Sequence, residues 1–436
     1  MASHSIIPQR IPFRTARPLS GAATGLLVVL VLIGIGAAFL ARGGEDPGRL
    51  WQALLFNWLF WSSLAIGMVM LAVAVQTVEA EWAWSVRRFA LGGAAFLPIS
   101  FILLFVVFGG YEHYFHHWLH PEGEHARVIL AKQAWLSWPG LAIRDVVAVA
   151  VLYGTALVFT YHSLRPDLHG AGTDDRQRSL YRRFTGGWRG AAEEARRSRK
   201  IMLALGPILG ILFAVLWGIV GVDMAMSVEP AWYSTMFPVA FFVASFVSGI
   251  YATGLAVAFF RSRLGLEEYI VPKQLHDLGK LMFAFSVFWM YINWSQYVII
   301  WYGQLPFEQV WFAKRLVHPY SDVTKAVVML VFVLPFFGLV TRPPKKVPAI
   351  IGFFAVLVLI GIWLERFMLV VPSLAEPTGH LPLGIPEIGI GLGFLGLFLA
   401  AYLWFVRSFP LLPSPAALAA RPPSVFTVQT AGVHDH

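Results

Sequence analysis

Residues 347–374 read VPAIIGFFAVLVLIGIWLERFMLVVPSL. As a helix this run is long enough to cross a hydrocarbon core of about 30 Å. Glu365 and Arg366 interrupt it near its C-terminal end. Adjacent helical positions point about 100° apart, so the two side chains cannot readily relieve each other. An isolated charge in hydrocarbon costs roughly 2.5–3.5 kcal/mol on insertion scales, so each needs water or a partner on another helix. One stretch therefore implies a bundle of membrane helices with polar groups inside it.

The rest of the chain agrees. Of 436 residues, 58% are hydrophobic and 13% charged, and mean hydropathy is +0.67. That is too apolar for a soluble domain and fits an all-α polytopic membrane protein. The chain has no cysteine, which excludes Cys-ligated iron–sulfur clusters, c-type haem attachment and disulfides within it. Apolar windows predict ten spans, at about 20–41, 52–78, 89–110, 138–163, 201–222, 237–260, 278–303, 323–341, 348–371 and 386–407. They divide the chain into an N-tail (1–19), one ten-helix membrane domain (20–407) and a Pro-rich tail (408–436). The first run is longer than a usual signal-peptide core and lacks a small-residue cleavage site, so it reads as a retained helix.

Lys and Arg set the expected orientation. With both termini cytoplasmic, the cytoplasmic segments hold roughly 23 Lys and Arg against roughly six in the other loops. The formal charge of +9 is accounted for by those loops, with no nucleic acid needed. In this orientation the intramembrane charges gather in the outer leaflet. Arg144 and Asp145 lie one to two turns inside span 4, and Asp223 ends span 5. Asp322 and Lys325 open span 8, Glu365 and Arg366 lie near the outer end of span 9, and Glu387 opens span 10. The expectation is one polar cluster opening outward. Its bland reading is a set of ion pairs that fix helix register. Spans 8 and 9 are consecutive and antiparallel, and Lys325 and Glu365 have matching depth, so these two are expected to pair. Arg366 is expected to turn to Asp322, Glu387 or the interface.

Other groups weigh less. His113, His116, His117, His120 and His125 crowd YEHYFHHWLHPEGEH (111–125), where i,i+4 pairs give a metal-like spacing. An interfacial helix in an aromatic belt explains them better than a metal, and His113 keeps a separate quinol or proton reading. His162 is the only histidine clearly within a span, which argues against a bis-His haem in this chain. Glu79, Asp277 and Lys280 mark helix ends. Loop 164–200 is expected to face anionic lipid or to dock a peripheral subunit. Gly389 and Gly393 in span 10 allow close helix contact. The tail from Pro410 reads as extended and draped over a partner.

Several stretches in order carry a resemblance: NWLFWSSLAIGMVML (57–71), WLSWPGLAIRD (135–145), WLERF (363–367) and GIPEIGIGLGFLGLFLAAYLWFVRSFP (384–410). Together they resemble the F subunits of bacterial alternative complex III, a branch of the polysulfide-reductase-type (NrfD-like) membrane subunits. The resemblance implies two four-helix bundles, spans 2–5 and 6–9, flanked by spans 1 and 10, in a bacterial inner membrane. It implies a complex that oxidises menaquinol or ubiquinol and passes electrons through iron–sulfur and multihaem cytochrome c subunits to cytochrome c or a terminal oxidase. The haem and iron–sulfur centres would lie in partner subunits, with none in this chain. A sister NrfD-like subunit is implied to carry a quinol site built on an Asp early in span 4 and a His near the end of span 3. Asp145 matches the first position and His113 is nearest to the second. Arg144 beside Asp145 makes this version more cationic. The expected function is a quinol site or proton path using Asp145, Arg144, Glu365 and Lys325. The rivals are a secondary transporter and a structural scaffold. Against the transporter stand the lack of paired Gly/Pro-broken spans and of a midplane cluster.

Overall fold

The computed structural model describes residues 11–17, 19–44, 46, 48–121, 126–172, 174–375 and 379–419. All regular structure among them is helical. The long helices are α1 (Gly21–Arg42), α2 (Gly48–Thr77), α3 (Arg87–Phe108), α4 (Trp138–Leu164), α5 (Ala191–Met226), α6 (Phe237–Arg263), α7 (Pro272–Gly303), α8 (Pro306–Leu316), α9 (Tyr320–Leu339), α10 (Pro348–Leu374) and α11 (Ile385–Ser408). Nine helices among the described residues are long and apolar enough to cross a membrane, and the chain is a multi-pass membrane protein. The two not in that set are α7 and α8. Helix α7 is a 32-residue helix, but Tyr291, Asn293, Trp294, Ser295, Gln296 and Tyr297 lower the hydropathy of its second half. Helix α8 has 11 residues and is too short to span.

Helix α2 is the axis of the molecule, with 94% of its apolar window buried. It packs on α3, α5, α6, α10 and α11, while α6 packs on α7 and α10. The crossing of α2 and α6 is made by glycine. A Cβ on Gly67 would run into the Ser245 carbonyl, and one on Gly249 into the Gly67 backbone. Close backbone approach of this kind is how membrane helices gain packing energy, since lipid is as apolar as Leu. Helices α1 and α11 pair in the same way. Gly34 faces Gly393, and Gly389 faces Ala37, as the small-residue spacing predicts. The outer faces of α1, α3, α4 and α5 show Leu32, Phe39, Ile102, Phe105, Ile143 and Ile211, the pattern of a lipid-facing perimeter.

Several helices depart from ideal geometry. The middle of α3 tightens to a 3₁₀ segment at Gly92–Phe96. Helix α5 widens to π geometry at Phe213–Trp217 and again at Val222–Met226, and α9 does so at Met329–Val333. Such wide turns shift the register of side chains and are frequent at functional sites.

The expected histidine helix is broken. Residues 111–119 form two short helices, Tyr111–Tyr114 and His116–Leu119, with Phe115 between them at φ −113° and ψ 15°. His113 and His117 thus lie on different helices, and their i,i+4 register is lost. The segment before α9 folds as the short helix α8. The start of the C-terminal tail, read as extended and draped over a partner, packs on the chain itself. Leu411 and Leu412 are buried, the Leu411 N–H donates to the Arg14 carbonyl at 3.0 Å, and the Ser414 N–H donates to Asp167 at 2.8 Å.

Candidate functional site

Helices α4 and α5 build the first polar centre. Arg144 and Asp145 sit in the second turn of α4, after Ser137 and Pro139 open that helix. Asp223 occupies the second π turn of α5. The wide turn leaves the Asp223 carbonyl free to accept from the Ser227 hydroxyl. Arg144 Nε donates to Asp223 Oδ2 at 2.6 Å, and the Trp135 indole N–H donates to Asp223 Oδ1 at 2.9 Å. The Arg144 guanidinium also lies over the Trp135 ring at 3.9 Å. Asp223 is fully buried, while the Arg144 side chain keeps 22% exposure, so the pair joins the interior to the surface.

Asp145 is different. It is fully buried against the Asp223 carboxyl, and no N–H or hydroxyl among the described residues donates to it, so only a proton shared with Asp223 could bond it there. A buried polar atom left unmet costs about 1–3 kcal/mol, more if charged. A carboxyl group can be satisfied there by a proton, a water or a hydroxyl-bearing ligand. Deeper in the same group of helices a row of hydroxyls follows. Ser62 and Ser100 lie 2.6 Å apart, Tyr153 hydroxyl lies 3.1 Å from Ser100, and the Trp58 indole donates to the Ser100 carbonyl at 2.9 Å.

Helix α10 builds the second centre. Arg366 is fully buried and turns toward the axis of the molecule. Its Nη2 donates to the Phe241 carbonyl and the Ser245 hydroxyl, each at 3.1 Å, and it lies over the Phe241 ring at 4.1 Å. Ser245 itself donates to Ser63 at 3.0 Å and accepts from the Trp217 indole at 2.9 Å. Glu365 accepts from the Trp289 indole at 2.9 Å through Oε1, and its Oε2 has no hydrogen-bond partner. Arg366 Nη1 stands 3.9 Å from that oxygen.

Two expectations fail here. Glu365 does not meet Lys325. Lys325 binds Asp322 at 2.9 Å, and the side chains of both are more than 70% exposed. The cause is rotation. Matching depth places two residues at one level, but the helical phase of α9 turns Lys325 to the surface while the apolar Val323 and Val327 face inward. Arg366 likewise reaches neither Asp322, nor Glu387, nor the interface. Glu387 is taken instead by Arg49, which grips it at 2.6 and 2.9 Å. The charges form separate centres in place of one network.

The remaining candidates are placed as follows. His113 is exposed and stacks on Trp51 at 6.2 Å. His116 and His120 rings lie 5.3 Å apart, and His125 lies outside the described residues. No three His, Asp or Glu side chains among the described residues converge as for a metal ion. His162 is partly buried with Nδ1 unmet. Glu79 is held by Arg199 at 2.8 and 2.9 Å, and Asp277 by Lys280 at 2.6 Å. Sequence reasoning missed Arg315 on α8. It is buried and donates to the carbonyls of Met368, Trp311 and Leu369 and to the Ser373 hydroxyl, at 2.8–3.2 Å. Burial pushes its guanidinium down to about 9, which still leaves it charged at neutral pH among these acceptors. Its neighbourhood in FEQVWFAKRL (307–316) reads as an ordinary amphipathic loop segment, so only folding reveals its burial. Comparison with known proteins finds no family model and no curated relative that matches the chain.

Proposed function

We propose that this chain is a membrane subunit of a quinol-oxidising respiratory complex of the alternative complex III type, in a bacterial inner membrane, and that Asp145 takes up protons released there. In this reading α7 also spans, which makes ten membrane helices. Helices α2–α5 form one bundle, α6, α7, α9 and α10 form the other, and α1 with α11 flank them. Both termini are cytoplasmic, in keeping with the Lys and Arg asymmetry. The observation that carries the reading is Asp145, wholly buried against the Asp223 carboxyl with no N–H or hydroxyl donor among the described residues, beside an Arg144–Asp223 pair that reaches the surface.

The chemistry needs such a group. Oxidation of a quinol to a quinone releases two electrons and two protons. The electrons leave to haem and iron–sulfur centres of partner subunits, which supply the redox chemistry. The protons need an acceptor close to the ring and a wet route outward. Asp145 is that acceptor. Arg144 holds Asp223 in place with Trp135, and its exposed edge marks the way out. Lys325 has no part in this route, because it turns to the surface and pairs with the exposed Asp322.

The test is Asp145→Asn in the assembled complex, with quinol turnover and protons released per quinol both measured. Assembly should persist while turnover falls by roughly 10²-fold, the scale of lost general acid–base help, or while fewer of the two protons per quinol emerge on the outer side. Normal turnover and proton yield in the assembled variant would refute the role and leave the cluster as a register-fixing ion pair. A lone protein that purifies without haem- or iron–sulfur-bearing partners and drives ion-coupled uptake would point to a transporter instead.

A further inference from the structure

Helix α7 is the one long helix among the described residues whose hydropathy falls short of a membrane span. Its outward face shows why. Ala284, Phe288, Tyr291 and Tyr302 are exposed, and Ser295 and Val298 partly so. That four-three spacing is the seam along which two helices pack as a left-handed pair. Tyr291 is 62% exposed and stacks on Phe288 at 6.3 Å. It lies about 18 Å along the helix from the Gly303 end, near the middle of a hydrocarbon core about 30 Å thick. Trp294 is exposed on the next turn. Nothing among the described residues accepts from the Tyr291 hydroxyl or the Trp294 indole N–H.

The rest of the perimeter is different. Every other exposed Tyr or Trp among the described residues (Trp135, Tyr233, Trp301, Tyr302 and Trp404) lies in a loop or within about a turn of a helix end, where such rings meet headgroups. On α3, α4 and α5 the outward side chains include Phe105, Val151 and Ile211, which have no polar atom. Acyl chains offer a hydroxyl or an indole no acceptor, so lipid is a poor cover for Tyr291 and Trp294. A cavity of about 460 Å³ opens beside the seam, between α7 and α8, where Trp294 and Leu316 are exposed. Arg315 stands on its wall, but the guanidinium is committed to three carbonyls and the Ser373 hydroxyl. The Asn293 amide donates to the Trp289 carbonyl, and the Thr324 hydroxyl to the Arg315 carbonyl. Met290, Val327, Val328, Met368 and Leu369 leave the hollow mainly apolar.

We propose that this seam and the cavity beside it dock one transmembrane helix of another protein subunit. That helix carries small side chains where it crosses Ser295, an oxygen acceptor for the Tyr291 hydroxyl, and a bulky apolar side chain that enters the cavity beside Trp294. A second copy of this chain does not fit. Copies in one membrane share an orientation, so their two-fold axis runs along the membrane normal and equivalent residues meet at equal depth. Phe288, Tyr291 and Trp294 would each face their own kind, ring against ring, with no small residue opposite. The inference rests on the preceding reading only in that α7 spans the membrane and the chain has partner subunits. It does not need quinol chemistry.

The experiment is photocross-linking of the full-length protein in native membranes, with p-benzoylphenylalanine in place of Tyr291 or Tyr302 and, as lipid-facing controls, of Phe105 or Ile211. Two differently tagged copies of the chain are expressed together. The Tyr291 and Tyr302 probes should give one discrete adduct, in which residues 288–302 are joined to an apolar membrane segment of a different protein. The controls should give lipid alone. Ser295→Trp, which thickens the seam at an outward position, should lower the Tyr302 adduct about tenfold, the scale of one overpacked contact. The melting temperature of the purified chain should stay unchanged in that variant, because the seam is no part of its own core. Asp145→Asn should cross-link like the wild type. An adduct whose partner belongs to no haem- or iron–sulfur-bearing complex would refute the preceding reading and leave this one standing. Lipid adducts alone at Tyr291, an adduct carrying both tags, or an undiminished adduct in Ser295→Trp would overturn the proposal. So would reaction of Tyr291→Cys, in a chain with no other cysteine, with a membrane-impermeant maleimide, because the seam would then face water.

Discussion

Arg366 shows how much one buried side chain can carry. It is fully buried, yet it satisfies a carbonyl and a hydroxyl on α6 and covers the Phe241 ring. Arg366→Leu leaves Ser245 without that donor and Glu365 without its nearest cation. Loss of one partner at a buried charge typically costs about 3–5 kcal/mol, so melting temperature in detergent should drop sharply. Arg366→Lys should recover little, because an ammonium cannot reach both acceptors while stacking on a ring. By contrast, Lys325→Met should leave the melting temperature unchanged, because the Lys325–Asp322 pair lies at the surface. A large loss on Lys325→Met would mean that Lys325 meets Glu365 after all. The need of Glu365 and Arg366 for partners was legible from their depth. The identity of those partners was not, because helical phase, which depth does not reveal, chooses them.

Among helices, the decisive contact is α2 against α6. Both Gly67 and Gly249 sit where any Cβ would collide with backbone. Gly67→Ala should therefore lower stability by about 1–3 kcal/mol or more through overpacking, read as a shift in thermal unfolding. Gly210→Ala on α5 is the control, since a Cβ there meets nothing within 4 Å and should cost nothing. Equal behaviour of the two variants would contradict the close crossing. The π turns make a related point. Asp223 meets Arg144 and Trp135 from within a wide turn, where Ser227 N–H reaches back five residues to the Val222 carbonyl at 2.9 Å. Nothing in VGVDMAMS (220–227) announces that turn, although the pairing depends on where it aims the carboxyl.

At the scale of the molecule, one end is woven shut by segments distant in sequence. The Ala16 N–H donates to the Val406 carbonyl at 2.9 Å, and the Tyr181 hydroxyl to the Ser408 carbonyl at 2.6 Å. Arg165 binds Glu194 at 2.7 Å and the carbonyls of Phe184 and Gly186. Asp167 binds the buried Arg88 while taking the Ser414 N–H. A chain ending at Pro410 would lose the buried Leu411, Leu412 and Leu418, uncover the surface they pack on, and should show faster proteolysis within residues 165–190 and a lower melting temperature. Unaltered proteolysis would mean that the tail is a passenger. This end carries most of the Lys and Arg, so a reporter fused after His436 should be cytoplasmic and one placed at residues 42–50 external. A periplasmic C-terminus would invert the proposed proton exit.

By itself the sequence determined the class of structure. Apolar runs about as long as a bilayer is thick must become helices, because hydrocarbon offers the backbone no other hydrogen-bond partner. It also determined which residues would be unable to rest in lipid, Asp145, Glu365 and Arg366 among them, because the cost of an isolated charge rises with its depth. The small-residue contact at Gly389 and Gly393 was legible for a similar reason, since close approach has few other uses for glycine in a span. What only the tertiary structure decided was direction. The rotation of each helix, the wide turns of α5 and the folding of α8 out of a loop are set by packing against the other helices. They sent Arg366 to Ser245, Lys325 to the surface and Arg315 to the wall of a cavity, and set Glu365 between the Trp289 indole and the Arg366 guanidinium.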